Sequence, residues 1–302
     1  MPDGGLTSPA VKIGLSLPTM LSGLDRETVL GWCRRIEGDG YSTIGFGERI
    51  AYHNLELFSV LSAAAAVTER VRIASTIVVL PLHSAVWVAK QTATLDVLSG
   101  GRVTLGVGVG GRSEDYEAVG SPFERRFDRL DAQVASIRSL WAGEAPADGL
   151  DPVGPATVQA HIPILSGAMG PKSLARSARW ADGIAGFETD PSRAALEASR
   201  DRMDRAWHEA GRTSEPYRMT SFWFAVGDDG PERLGSYARD YLGVFGPELA
   251  DALAASCTAH SADAVRAAIR DAASLGFDEI QLVPTTADLG ELDRLSSIVQ
   301  AL

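Results

Sequence analysis

Val71 to Val109 reads VRIASTIVVLPLHSAVWVAKQTATLDVLSGGRVTLGVGV. It opens with a β-branched apolar run, Val71 to Pro81, that has the residue preferences of a strand. Ser84 to Leu98 follows at helical spacing, the SGGR turn at Ser99 to Arg102 reverses the chain, and Val103 to Val109 is a second apolar strand. Strands without polar alternation must be covered on both faces, and strand, helix and strand in succession make a parallel pair with a right-handed crossover. The stretch therefore predicts an α/β chain built on a parallel sheet.

The same alternation extends in both directions. Before it lie strands at Val11 to Thr19 and Tyr41 to Glu48, with a helix capped by Asp25 between them and another at Leu57 to Thr68. After it come a helix at Glu124 to Trp141, strands at Ile162 to Ser166, Gly183 to Phe187, Met219 to Val226 and Glu279 to Val283, and helices at Pro171 to Ala181, Ser192 to Ala210, Ala238 to Phe245, Ala262 to Leu275 and Leu289 to Ala301. Prolines and glycines recur through residues 142–160, which read as an irregular excursion. Eight strands alternating with helices over 302 residues fit a (β/α)8 TIM barrel, taken as a single domain over 1–302.

Composition narrows the function. A hydrophobic fraction of 45% with 22% charged residues is that of a globular chain with a large core. The net charge of −11 repels phosphate backbones and anionic headgroups, so no nucleic acid or membrane partner is expected, and an anionic ligand must be held locally. Cys33 and Cys257 form neither a disulfide framework nor a metal cluster. The five histidines show no ligand spacing, so no metal is expected. The first ten residues carry no basic and apolar leader, and a cytoplasmic location is expected.

In a barrel the chemistry lies just after each strand. Gly106 to Gly111 satisfies G-x-G-x-x-G, but a dinucleotide site needs a second strand ending in an acid, and Asp128 and Asp131 fall inside a helical stretch. His83, two residues past Pro81, can titrate near neutral pH, or it is a surface residue at a helix start. Arg112, Glu114, Asp115 and Tyr116 follow the glycines as proton-transfer candidates or as helix caps. SGAMGPKS, Ser166 to Ser173, is a glycine turn into a helix: Gly167 and Gly170 allow close backbone approach, and Pro171 opens a helix whose amides face an anion.

Three stretches carry a family resemblance. ASTIVVLPLHSAVWVAKQTATLDVLSGGRVTLGVGVGG (Ala74 to Gly111), AVGSPFERRFDRLDAQVASIRSLW (Ala118 to Trp141) and IPILSGAMGPKSLARSARWADGIAG (Ile162 to Gly186) resemble the luciferase-like superfamily of flavin and deazaflavin oxidoreductases. The resemblance implies a luciferase-like TIM barrel and a homodimer. Within the family SGAMGPKS is most similar to the loop by which the coenzyme F-420-dependent branch holds the cofactor phosphodiester. Glu48, Ile77, Val78, Gly108, Gly110, Gly111, Gly167, Ala168, Met169, Gly170 and Pro171 are thereby placed at the cofactor, and a bulge with a non-proline cis peptide is expected at Ile77 and Val78.

The resemblance also marks departures. Where the deazaflavin enzymes carry an acid and a histidine after the second strand, this chain has Glu48 and Arg49, and where some carry an acid after the fourth it has Gly111. Arg49 cannot act as a base, but can stabilise a reduced ring or an anionic substrate; the pair can equally be a rim salt bridge. Glu48, Arg49 and His83 are the catalytic candidates. The implied reaction is hydride transfer between F-420 and a small organic molecule held by the loops after the first, second, seventh and eighth strands and by Ala142 to Ala160. An FMN-dependent monooxygenase served by a separate flavin reductase is the alternative, and a non-catalytic flavin-binding barrel the third reading.

Overall fold

Every stave of the sheet finds a parallel neighbour on each side, as apolar strands without alternation require. The computed structural model describes residues 11–302; the first ten, in which no leader was read, lie outside it. The strands are β1 (Lys12–Ser16), β2 (Thr43–Phe46), β3 (Arg72–Ser75), β4 (Val78–Val79), β5 (Val103–Gly108), β6 (Ile164–Ser166), β7 (Gly183–Ala185), β8 (Tyr217–Phe224) and β9 (Glu279–Pro284). They are ordered β3-β2-β1-β9-β8-β7-β6-β5-β4, and β3 also pairs with β5, which closes the ring. Because β3 and β4 are successive pieces of one stave, this is an eight-stave parallel barrel, the (β/α)8 TIM architecture.

That divided stave corrects the continuous strand read over Val71 to Pro81. Ala74 pairs with Thr104 and Val78 with Val107, so four steps along one strand oppose three along the other. One residue more than the ladder can use has to bulge. The cis peptide lies at Thr76–Ile77, inside this break.

The outer helices are α1 (Arg26–Gly38), α2 (Leu57–Ala66), α3 (Ala85–Ser99), α4 (Ser113–Ala118), α5 (Arg126–Trp141), α6 (Pro171–Ser177), α7 (Arg193–Glu209), α8 (Gly230–Leu242), α9 (Pro247–Ala255), α10 (Ala262–Ser274) and α11 (Gly290–Gln300). Asp25 caps α1 through Thr28 N, while Ser192 and Ser261 cap α7 and α10. Residues 142–160 carry no helix or strand, and the buried Asp96 of α3 holds them by accepting from the amides of Val158 and Gln159. No described helix is long and apolar enough to cross a membrane.

Two expectations need correction. The helix read at Ala238 to Phe245 begins at Gly230 and ends at Leu242, followed by a short 3-10 turn, and α9 and α4 were not anticipated. The main core, between staves and outer helices, includes Trp32, Ile44, Phe46, Phe222 and Leu282. A separate apolar cluster formed by Met20, Trp223, Tyr237, Leu242 and Ala250 joins α8 and α9 to residues at the carboxyl ends of β1 and β8.

Candidate active site

Glu48 and Arg49 leave β2 in opposite directions. Glu48 Oε2 accepts from Val79 N at 2.8 Å, and both carboxylate oxygens lie within 3.0 Å of His83 Nε2. The rim salt bridge between Glu48 and Arg49 is therefore not formed. Nor is His83 a free surface residue: its side chain is only 25% exposed. Burial works against its charged form, but the hydrogen bond and charge of Glu48 outweigh that and raise its pKa above the ordinary value.

Arg49 turns the other way, beneath α8. It is 7% exposed, with its Cζ 4.0 Å from the Tyr52 ring centroid and 4.7 Å from that of Tyr241. The guanidinium thus has two aromatic rings within cation–π distance. Its Nη2 reaches Tyr241 O at 3.5 Å, whereas Nε and Nη1 have no acceptor. Burial and, among other charges, the nearby Arg112 lower its pKa, although an arginine stays charged at neutral pH. The loop that carries it is fixed by Asp115 of α4, whose Oδ1 accepts from the amides of Ile50 and Ala51. Asp115 is consequently an anchor, and Tyr116 donates to Val109 O in the buried turn beside it. Neither is presented as a free proton carrier.

Ile77 forms the wall on the next side of the mouth. A Cβ at Gly108 would collide with Ile77 Cδ1, and one at Gly167 would come within 3.2 Å of Ile77 Cγ2. These two glycines make room for Ile77. Gly110 sits at φ +60°, a left-handed turn against Val79, and Gly111 lies under the Phe245 ring. Beyond Gly167, no backbone carbonyl among the described residues accepts from the amides of Ala168, Met169 or Gly170. Pro171 begins α6, which spans seven residues and stops short of the expected Ala181. Lys172 is exposed. Under this loop a cavity of about 130 Å³ is lined by Phe187, Glu188, Arg202 and Met203, and burial raises the Glu188 pKa. A larger groove, among Trp141, His161, Trp180 and Asp182, lies at the amino ends of β6 and β7, the wrong end for barrel chemistry.

The structure thus splits the expected residues into three groups: Glu48 with His83 and the Val79 amide; Arg49 under α8; and Ile77 with the glycines and the Gly167–Pro171 loop. The covering aromatics were not read from sequence. Trp223 stacks edge-on to Phe187, Tyr237 and Tyr241, and Tyr52 donates to Asp240. Their one signal was Tyr237, Tyr241 and Phe245, four apart on a helical face.

Comparison with known proteins agrees with the fold. The model of the luciferase-like monooxygenase family matches residues 12–287. An uncharacterised protein of Mycobacterium tuberculosis is 36% identical over 164 residues, 52% of this chain and 57% of its own length. A pyrimidine monooxygenase of Yersinia enterocolitica is 31% identical over 188 residues, 57% of this chain and 51% of its own. The chain thus spans little more than half the length of these curated relatives. Among solved structures, an F-420-dependent secondary alcohol dehydrogenase superposes with TM-score 0.79 at 18% identity, covering 96% of this chain and 98% of the other. The FMN-bound oxygenating constituent of a Pseudomonas putida diketocamphane monooxygenase gives TM-score 0.69 at 16% identity, covering 96% and 97%. At such identities the likeness concerns the fold.

Proposed function

The chain belongs to the luciferase-like monooxygenase family, and from that membership and its site geometry we propose a coenzyme F-420-dependent oxidoreductase that transfers a hydride to or from a small organic substrate. The loop after β6 carries the reading. Among the described residues its amides at Ala168, Met169 and Gly170 have no backbone acceptor, and a Cβ at Gly170 would meet nothing closer than Ser173 Oγ at 3.7 Å. Amides left open beside a chain without side-chain bulk fit the phosphate of a flavin-type cofactor, and SGAMGPKS is the stretch most similar to the deazaflavin branch. When bound, the deazaflavin supplies the carbon that gives or takes the hydride.

The chain's own residues do the rest. Ile77, backed by Gly108 and Gly167, gives an apolar wall against which a planar ring can rest. Trp223, Tyr237 and Tyr241 cover the mouth and exclude water from the reacting face. Glu48 fixes the Val79 amide just beyond that wall, and His83 Nε2 holds a proton shared with Glu48. The protein is proposed to work in the cytoplasm on a small molecule, as a homodimer, which light scattering checks.

A second reading has its own support. The pyrimidine monooxygenase relative favours oxygen chemistry, and the diketocamphane monooxygenase constituent of the same fold is FMN-bound, so the second reading is an FMN-dependent monooxygenase served by a separate reductase. Separate titrations with F-420 and FMN decide between them. F-420 is expected to bind at least tenfold tighter, a difference of ~1.4 kcal/mol; equal or tighter FMN binding reverses the order. Binding without turnover of ketones, enones or alcohols would instead support a flavin-binding barrel without catalysis.

A further inference from the structure

Four hydrogen-bond donors in the region of α8 have no acceptor among the described residues: Arg49 Nε and Nη1, Arg112 Nε and the Tyr237 hydroxyl, with Arg49 close enough to feel the charge of Arg112 and to act on Tyr237. An unpaired arginine Nε is by itself common in this chain. Arg126, Arg129, Arg176 and Arg233 each leave theirs free, but every one of them donates from a terminal nitrogen to a firm acceptor. Arg49 does not. Its single contact is the 3.5 Å approach to Tyr241 O, and no described carboxylate lies within ion-pair distance. Arg112 meets only Asp115 Oδ2, at 3.5 Å and without a hydrogen bond, while the other oxygen of Asp115 is committed to two amides. In a chain with 39 acidic and 28 basic residues, Arg49 has no ion-pair partner among the described residues and the nearby Arg112 has one carboxylate that is already occupied.

A buried charge without a partner is costly, and a fold keeps one where something else completes the pair. The Tyr52 and Tyr241 rings lie 4.0 and 4.7 Å from the guanidinium carbon, and the unpaired Nε and Nη1 donors point outward in the guanidinium plane, where a partner would be met. An in-plane fork of N–H donors matches a planar carboxylate in two parallel bonds, and one excess positive charge matches one negative charge. The ligand is not the cofactor phosphate, whose proposed loop follows β6, separated from β2 around the ring by β5 and the divided stave. We propose that Arg49, with Arg112 and the Tyr237 hydroxyl, is a carboxylate subsite, and that the substrate is an organic acid whose carboxylate lies against Arg49 under the aromatic cover. This rests on the reading of the mouth as a substrate site but not on which cofactor is used.

Benzoate, a planar aromatic carboxylate, is the probe, titrated by calorimetry at low ionic strength into the full chain without cofactor. Saturable binding is expected in the wild type, at least tenfold weaker in Arg49→Met, severalfold weaker in Tyr237→Phe and intermediate in Arg49→Lys. Benzamide, which has the shape without the charge, should not bind, and inorganic phosphate should bind more weakly than benzoate. Without ligand Arg49→Met should melt at or above the wild-type temperature, because it removes an unpaired buried charge; a large drop would make the guanidinium structural and overturn the proposal. Absence of benzoate binding, or equal binding in wild type and Arg49→Met, would also overturn it. So would loss of F-420 affinity in Arg49→Met, which would assign the cation to the cofactor. Arg49-dependent benzoate binding in a protein that takes up no F-420 would keep the subsite and discard the cofactor assignment.

Discussion

Glu48 and Arg49 are neighbours in sequence that serve different places: in the loop after β2 one side chain turns to Val79 and His83 and the other to Tyr52 and Tyr241. Adjacency of opposite charges suggested a bridge; these separate contacts replace it. Glu48 instead holds Val79 and His83, contacts 31 and 35 residues away that sequence spacing does not reveal. Since Glu48 raises the His83 pKa above its unperturbed 6.5, the pair's stabilisation is complete below that value and is lost as pH rises through the higher folded-state value. The melting temperature is therefore expected to fall in the wild type as pH rises above about 6.5 and through the raised folded-state value. His83→Gln, which keeps a donor for Glu48 but cannot titrate, should flatten that slope; an unchanged slope would place the titrating group elsewhere.

At the scale of elements, α4 shows a helix working at a distance. Its Asp115 ties down the amides of Ile50 and Ala51, and with them the loop that carries Arg49. Asp115→Ala should cost about 1–3 kcal/mol in denaturant unfolding, the penalty for leaving buried donors unpaired, and should speed hydrogen exchange at those two amides. Ile77 and Gly108 are coupled through space: Gly108→Ala is expected to destabilise by about 1–3 kcal/mol through overpacking, and adding Ile77→Ala should recover part of the loss in a double-mutant cycle. The glycine loop after β6 was legible because its signal is local. The start of α8 was not, because Gly230, Pro231 and Gly235 look like breakers, and α9 was missed because Gly246-Pro247 reads as a stop. Both prolines lie in the first turn of their helices, where a missing N–H costs nothing.

The whole molecule is a barrel with a second, smaller apolar cluster set over one end. The barrel was legible because each unit repeats the same local pattern. The cover was not, because Tyr241 meets Arg49 across 192 residues. Since α8 and α9 pack largely on that smaller cluster, their amides should exchange through openings of lower free energy than those of the barrel strands, read by native-state hydrogen exchange; equal values would make cover and barrel one cooperative unit. The barrel's closing seam has a consequence of a different kind. Deleting Thr76 would cancel the surplus step between the Ala74–Thr104 and Val78–Val107 pairs, and β3 and β4 could then run on as one regular stave. Ile77 would be drawn into the ladder opposite Gly106 and away from Gly108 and Gly167. Such a deletion should leave a closed barrel by circular dichroism and a chain that no longer binds a planar cofactor; retained affinity would free Ile77 of that role. What lines the mouth is decided by the parity of a residue count before any side chain is chosen.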